Sequence, residues 1–237
     1  MFALTFVFLG VGSGSSGVSD ALQNLFRGSG PGGASISSLQ KKTQKNPLDA
    51  KAWRDLATAY ETKHDTNGAI SALTQYTGLR PHDTAALSEL ASQYTDQAQQ
   101  YATDYQNAQQ AVAEATPPSA AFAPAATSPL GKAFTDPNAL QDPLATAVQK
   151  LATDRETTAY SNYQQAQSNA EKAYQSIVKL TPDDPNAQLE LGQAAQAAQD
   201  TAVALAAYGK FLKLAPHDPL AAQVKQQLTL LKPSASK

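Results

Sequence analysis

Gly12-Ser13-Gly14-Ser15-Ser16-Gly17 matches, letter for letter, the G-x-G-x-x-G fingerprint that lets backbone N–H groups approach a pyrophosphate. It follows an apolar run and precedes a helical pattern. Such a site also needs a βαβ unit and an acidic residue about 20 residues further on. Residues 32–40 hold neither Asp nor Glu and no strands follow, so the glycines are read as a linker. The three histidines raise the question of a metal. His82 and His217 occupy the same Pro-His-Asp turn in two repeated segments, His64 sits in a polar turn, and no two pair at helical spacing. Asp154 and Glu156 flank Arg155 on a helix, where successive residues do not share a face, so they form a solvated surface and not an acid–base pair. No nucleophile stands beside a base. The expectation is no catalytic residue, no cofactor, no metal and no enzyme.

Composition narrows the classes further. The chain of 237 residues is 42% hydrophobic but 7% aromatic, so its core must rest on Ala and Leu more than on rings. A net charge of -2 lacks the basic surplus that phosphate backbones select, which argues against nucleic acid as a partner. Without Cys there are no disulfides and no thiolate zinc sites, and the compartment stays open.

Phe2 to Val11 is apolar except for Thr5 and Gly10, and eight of the thirteen glycines fall between Gly10 and Gly33. The run is too short to span a bilayer, which takes about 20 apolar residues as helix. No Lys or Arg precedes it as in a signal peptide. It is read as the exit half of a membrane anchor, with a frayed apolar leader as the alternative. Residues 1–35 are thus an apolar segment and a Gly/Ser-rich linker.

From Asn46 onward the chain repeats itself. Pro47 and Pro81 lie 34 residues apart, as do Pro182 and Pro216, and each is followed two residues later by Asp49, Asp83, Asp184 or Asp218. Such an Asp caps a helix by accepting from its free N–H groups. Pro185 and Pro219 then fall at the first helical position, where a missing N–H costs nothing. This period, with a Pro stop and an Asp start, marks helix–turn–helix units. The first unit reads Trp53, Leu56, Ala57, Tyr60, Ala69, Leu73, Tyr76, Pro81. The second starts with Leu87, Leu90, Ala91 and Tyr94, and the third reads Leu191, Gly192, Ala195, Ala204, Tyr208, Phe211, Pro216.

These residues resemble the tetratricopeptide-repeat family, in particular the bacterial membrane-anchored kind: a large residue, Leu three later, a small residue, an aromatic, then Ala, an aromatic and Pro. The third unit departs from the pattern by placing Gln188 at the first large position and Ala195 at the aromatic one. The resemblance implies an all-α solenoid of about three helix pairs: a half-repeat helix over 36–49, and units over 50–83, 84–184 and 185–218. A capping helix and tail over 219–237 follow, with Leu220, Val224, Leu228 and Leu231 inward and Lys225, Gln226 and Gln227 facing water.

The second unit is interrupted. Its second helix reads Ala170, Tyr174, Ile177, Pro182, so that Ala stands 67 residues later than position 103, where an unbroken repeat would put it. Tyr101, Tyr105, Ala108 and Val112 continue the first helix. Leu144, Val148, Leu151, Tyr160, Tyr163 and Ala166 start the second early, near Asp142-Pro143. The economical reading is one hairpin lengthened into an arm, its tyrosines packed between the helices. Two degenerate repeats are the rival, but the five prolines from Pro117 to Pro137 break helices there.

By the same resemblance, the first helix of each unit lines a concave groove that receives peptides or helices of other proteins. The corresponding positions here are Lys51, Arg54, Thr58 and Glu61, then Ala85, Ser88, Ser92 and Thr95, then Asn186, Leu189, Gln193 and Gln196. The family's clamp for a C-terminal carboxylate is not expected, since Thr58, Ser88 and Ser92 replace its polar and basic residues. A polar groove with one basic end is expected. The function implied is a scaffold or adaptor, membrane-associated with the repeats outside the cytoplasm, or else cytoplasmic and soluble. The competing reading is an envelope spacer that self-associates through its arm.

Overall fold

The structure, a computed structural model, describes residues 35–115 and 143–231. The apolar leader, the glycine fingerprint, the Pro-rich tip with Phe122 and Phe134, and the last six residues lie outside the described residues. The rest is all α: α1 (Ile36–Lys45), α2 (Ala50–Thr62), α3 (Thr66–Leu79), α4 (Thr84–Ala115), α5 (Pro143–Leu180), α6 (Pro185–Ala197), α7 (Thr201–Leu214) and α8 (Ala221–Leu231). Each helix packs on the next in chain order, as in a stack of hairpins. Among the described residues no helix is long and apolar enough to cross a membrane.

The Pro-x-Asp signals start helices as their chemistry requires. Asp49 and Asp83 accept from the backbone N–H of Ala52 and Ala86 at 3.0 Å, and Asp184 accepts from that of Asn186 at 2.9 Å. At the fourth site Asp218 accepts from the Leu220 N–H at 2.8 Å, but α8 begins only at Ala221. Pro219 therefore lies in the preceding turn and not at the first helical position. The turns inside units use a second device. Asp65 and Asp200 cap α3 and α7, and each follows a left-handed residue, His64 (φ 56) and Gln199 (φ 64).

The departures in the third unit are met by compensating side chains. Trp53 Nε1 donates to the Pro47 carbonyl at 2.9 Å, and Gln188 Nε2 donates to the Pro182 carbonyl at the same distance. Gln188 is 3% exposed, so this bond satisfies an amide that burial would otherwise penalise. The ring missing at Ala195 is supplied from the partner helix. Tyr208 stands where the first unit has Leu73, and its ring occupies the space over Gly192, where the first unit has Ala57. A Cβ on Gly192 would lie 2.4 Å from that ring.

The core is divided among three clusters. Leu39 of α1 joins Leu56, Ala57, Ile70, Leu73 and Leu90 from α2, α3 and α4. Leu87, Ile177 and Ala187 link α4, α5 and α6, while Ala195, Ala204, Tyr208, Phe211 and Val224 link α6, α7 and α8. Helix α8 thus caps the last pair. Gln227, expected in water, is half-buried and meets Gln196.

Helices α4 and α5, 32 and 38 residues long against 13 and 14 in the other pairs, form the arm. The extra length of α4 alone is roughly 28 Å. Ala152, Ala159, Ala166 and Ala173, seven apart on α5, are all buried, as are Ala91, Ala98 and Ala108 on α4. A seven-residue repeat keeps one stripe facing a partner helix, and Ala in that stripe lets the backbones approach closely. Tyr105 and Tyr160 meet across the seam, centroids 5.2 Å apart and tilted by 41°. The larger apolar residues expected on the inner face stay partly outside: Val148, Leu151 and Tyr160 are 47%, 53% and 38% exposed. The alanines fill the narrow seam and leave no room for them.

Two stability outcomes follow from this packing. Gly192→Ala should cost roughly 1–3 kcal/mol by overpacking, and adding Tyr208→Leu, which restores the first unit's Ala/Leu pairing, should recover much of that loss in urea unfolding. Ala159→Leu should destabilise by a similar amount, with the same change at exposed Ser161 near neutral.

Candidate groove

Charged residues of the first unit govern one end of the surface. Arg54, on the α2 face, reaches the Glu89 carboxylate of α4 and lies 5.8 Å from the Tyr76 ring centroid. Its Nη1 forms an ion pair with Glu89 Oε2. Tyr76 in turn donates to Asp83 at 2.7 Å, tying the end of α3 to the cap of α4. Lys51 donates to both oxygens of Asp55, at 2.9 and 2.8 Å. The basic end expected of the groove is therefore neutralised by its own neighbours.

Glu61 sits one turn beyond Thr58, half-buried, with Oε1 lacking any hydrogen-bond partner. Burial raises its pKa from 4.5 to about 7, helped by the Glu89 carboxylate beside it and opposed by Arg54. A proton held by Glu61 can bridge the two carboxylates.

Three hollows share lining residues with their neighbours. The first, about 480 Å³, is lined by Glu61, His64, Asp65, Gln93, Asp96 and Gln99 among others. Gln99 also lines the second, about 310 Å³, with Thr95, Ala98, Tyr163, Tyr174, Glu190 and Gln193. Gln193 and Ala197 carry the surface into the third, about 390 Å³, which adds Leu189, Gln196, Tyr208 and Gln227. The middle hollow has an alanine floor from α4, α5 and α6, and two tyrosines from the arm root form one wall.

Of the residues singled out from sequence, Glu61, Thr95, Leu189, Gln193 and Gln196 line these hollows. Lys51, Arg54, Thr58, Ser88 and Ser92 line none of the three. Thr58 and Thr95 spend their hydroxyls on the carbonyls four residues back, at 3.2 and 3.0 Å. Gln196 accepts from the Tyr208 hydroxyl at 2.9 Å and donates to Gln227 at 3.3 Å, so it braces the third unit against α8. The wall from α5 was not foreseen, because nothing in a one-dimensional pattern shows that the arm root faces α6. Tyr174 packs against the Leu87, Ile177 and Ala187 cluster, as its repeat position implies, and lines the hollow as well; Tyr163, expected in the arm seam, also lines it.

Burial holds the Glu190 carboxyl above its usual range, with Asp184 adding to the effect. Burial likewise raises Tyr174, and Glu190 adds to it. Among the described residues no group of three or more His, Asp or Glu is arranged to hold a metal ion. The chain matches no protein-family model, and no curated protein matches it significantly.

The Glu61 site sets a pH dependence. The folded chain keeps this proton where the unfolded chain releases it, so stability falls as pH rises from 4.5 to about 7. Melting curves between about pH 5 and about pH 8 should show the parent losing more stability than Glu61→Gln, with the variant the more stable at the alkaline end. Parallel curves would assign no role to Glu61. Taking the difference between the two proteins isolates Glu61 from Glu171 and Glu190, which burial shifts in the same direction.

Proposed function

We propose that this chain is a tetratricopeptide-repeat protein that serves as a scaffold or adaptor, holding a segment of a partner protein in its groove. The observation that carries this reading is the row of three hollows between Glu61 and Gln227 that share lining residues, with alanines in the middle one and glutamines in all three. The 34-residue period and the matching Asp caps support the family assignment, as does the shared bond from position 53 or 188 to the proline carbonyl six residues back. Glutamines on a rim can satisfy the backbone of an incoming segment, while the alanine floor accepts an apolar side chain. On this reading the protein is not an enzyme, takes no cofactor or metal, and binds no nucleic acid. We place any membrane attachment at Phe2–Val11, with the repeats outside the cytoplasm and the glycine-rich stretch as tether.

A second reading has its own observation. Val148, Leu151 and Tyr160 present exposed apolar surface on the arm, which suits self-association as a spacer.

A photoreactive residue at Gln193, compared with one at Lys213 on α7, separates the two. The adaptor reading expects crosslinks to a different protein from position 193 and none from 213. Crosslinks only between copies, together with a sedimenting mass that falls to monomer when the exposed Val148 and Leu151 become Gln, would establish the spacer instead.

A further inference from the structure

The Asp and Glu of the groove lining have no Lys or Arg among them, whereas the chain as a whole nearly balances its charges. Its net charge is only -2, yet the three hollows carry Glu61, Asp65, Asp96 and Glu190 and no Lys or Arg. The ion pairs of the described residues lie elsewhere: Lys42 with Asp49, Lys51 with Asp55, Arg54 with Glu89, Lys150 with Asp154 and Lys210 with Asp183. Each of these five cations meets a carboxylate outside the groove lining. Of the four, Asp65 caps α3 and Glu61 keeps its proton beside Glu89, so Asp96 and Glu190 are the carboxylates that face the groove with no ion pair.

Resting on the groove reading above, we infer that the occupant is a basic amphipathic peptide segment of another protein, its apolar side chain on the alanine floor and its Lys or Arg beside Asp96 and Glu190. The two acidic residues line adjoining hollows: Asp96 the first, Glu190 the second beside the alanines, and Gln99 belongs to both. A segment with basic residues beside an apolar anchor fits this arrangement. The size of the middle hollow, about 310 Å³, suits a side chain and not a folded domain. An acidic segment or a phosphate backbone would bring like charge against unpaired carboxylates and be repelled.

The test uses the full chain and three labelled synthetic peptides of about 16 residues, identical in their Leu/Ala face but with Lys, Gln or Glu elsewhere. Fluorescence anisotropy should show the Lys peptide binding about tenfold more tightly than the Gln peptide, with the Glu peptide weakest, and the difference should shrink as salt is raised. Asp96→Asn with Glu190→Gln should remove most of that difference while circular dichroism stays unchanged. Asp96→Asn alone, at an exposed position, gives the same direction if the double variant does not fold. Lys213→Glu should change nothing.

Equal affinity for the Lys and Gln peptides, with Gln193→Trp blocking both, overturns the basic occupant and leaves the groove reading standing. Tighter binding of the Glu peptide does the same. If none of the three binds at about 1 mM, a weak limit for specific recognition, the groove reading falls with the inference. A dimer abolished by Gln193→Trp makes a second copy the occupant and overturns the proposal.

Discussion

A helix pair built mainly from alanine cannot cover its own apolar face, and every other feature of this chain follows from that constraint. None of the three core clusters is confined to one pair. The first needs Leu39 and Leu90 from the flanking helices, the second draws on α4, α5 and α6, and the third needs Val224 of α8. A buried Leu contributes about 1.5–3 kcal/mol and a buried Ala much less, so no pair reaches stability without its neighbours. Helices α1 and α8 are accordingly part of the fold and not appendages to it.

The groove is the other side of the same stacking. Stacking one pair on the next packs α5 against both α4 and α6, and the three helices line one hollow at the root of the arm. The arm is the middle hairpin continued outward, and the alanine repeat that closes it needs little side-chain volume. Where α4 and α5 approach, Ala98, Ala102 and Ala170 line the hollow together with Tyr163 and Tyr174. One arrangement of small residues therefore stabilises the arm and shapes the middle hollow.

The period, the proline stops and the aspartate caps were legible in sequence because each is local: the residue acts on its own turn. The two terminal helices were legible for a similar reason, as they continue the period. The alanine seam was not, since Ala is equally at home inside and outside a helix bundle, and Leu151 and Val148 gave the stronger apolar signal on the outer side. The pairing of Arg54 with Glu89 joins two units, so no local pattern reveals it. His64 and Gln199 share a left-handed turn but no chemistry, and only their backbone shows the equivalence. Five of the first-helix positions, Glu61, Thr95, Leu189, Gln193 and Gln196, line the hollows; most of the other lining residues stand at further positions of α4 and α6 and on α5 and α8, which that pattern does not contain.

Amide chemical-shift mapping of the full chain with the Lys-bearing peptide tests the groove most directly. Shifts concentrated at Asp96, Gln99, Glu190 and Gln193 are the result expected from the charge and shape of the surface. Shifts concentrated instead on the outer arm, around Val148, Leu151 and Tyr160, would contradict it and make the arm the binding surface.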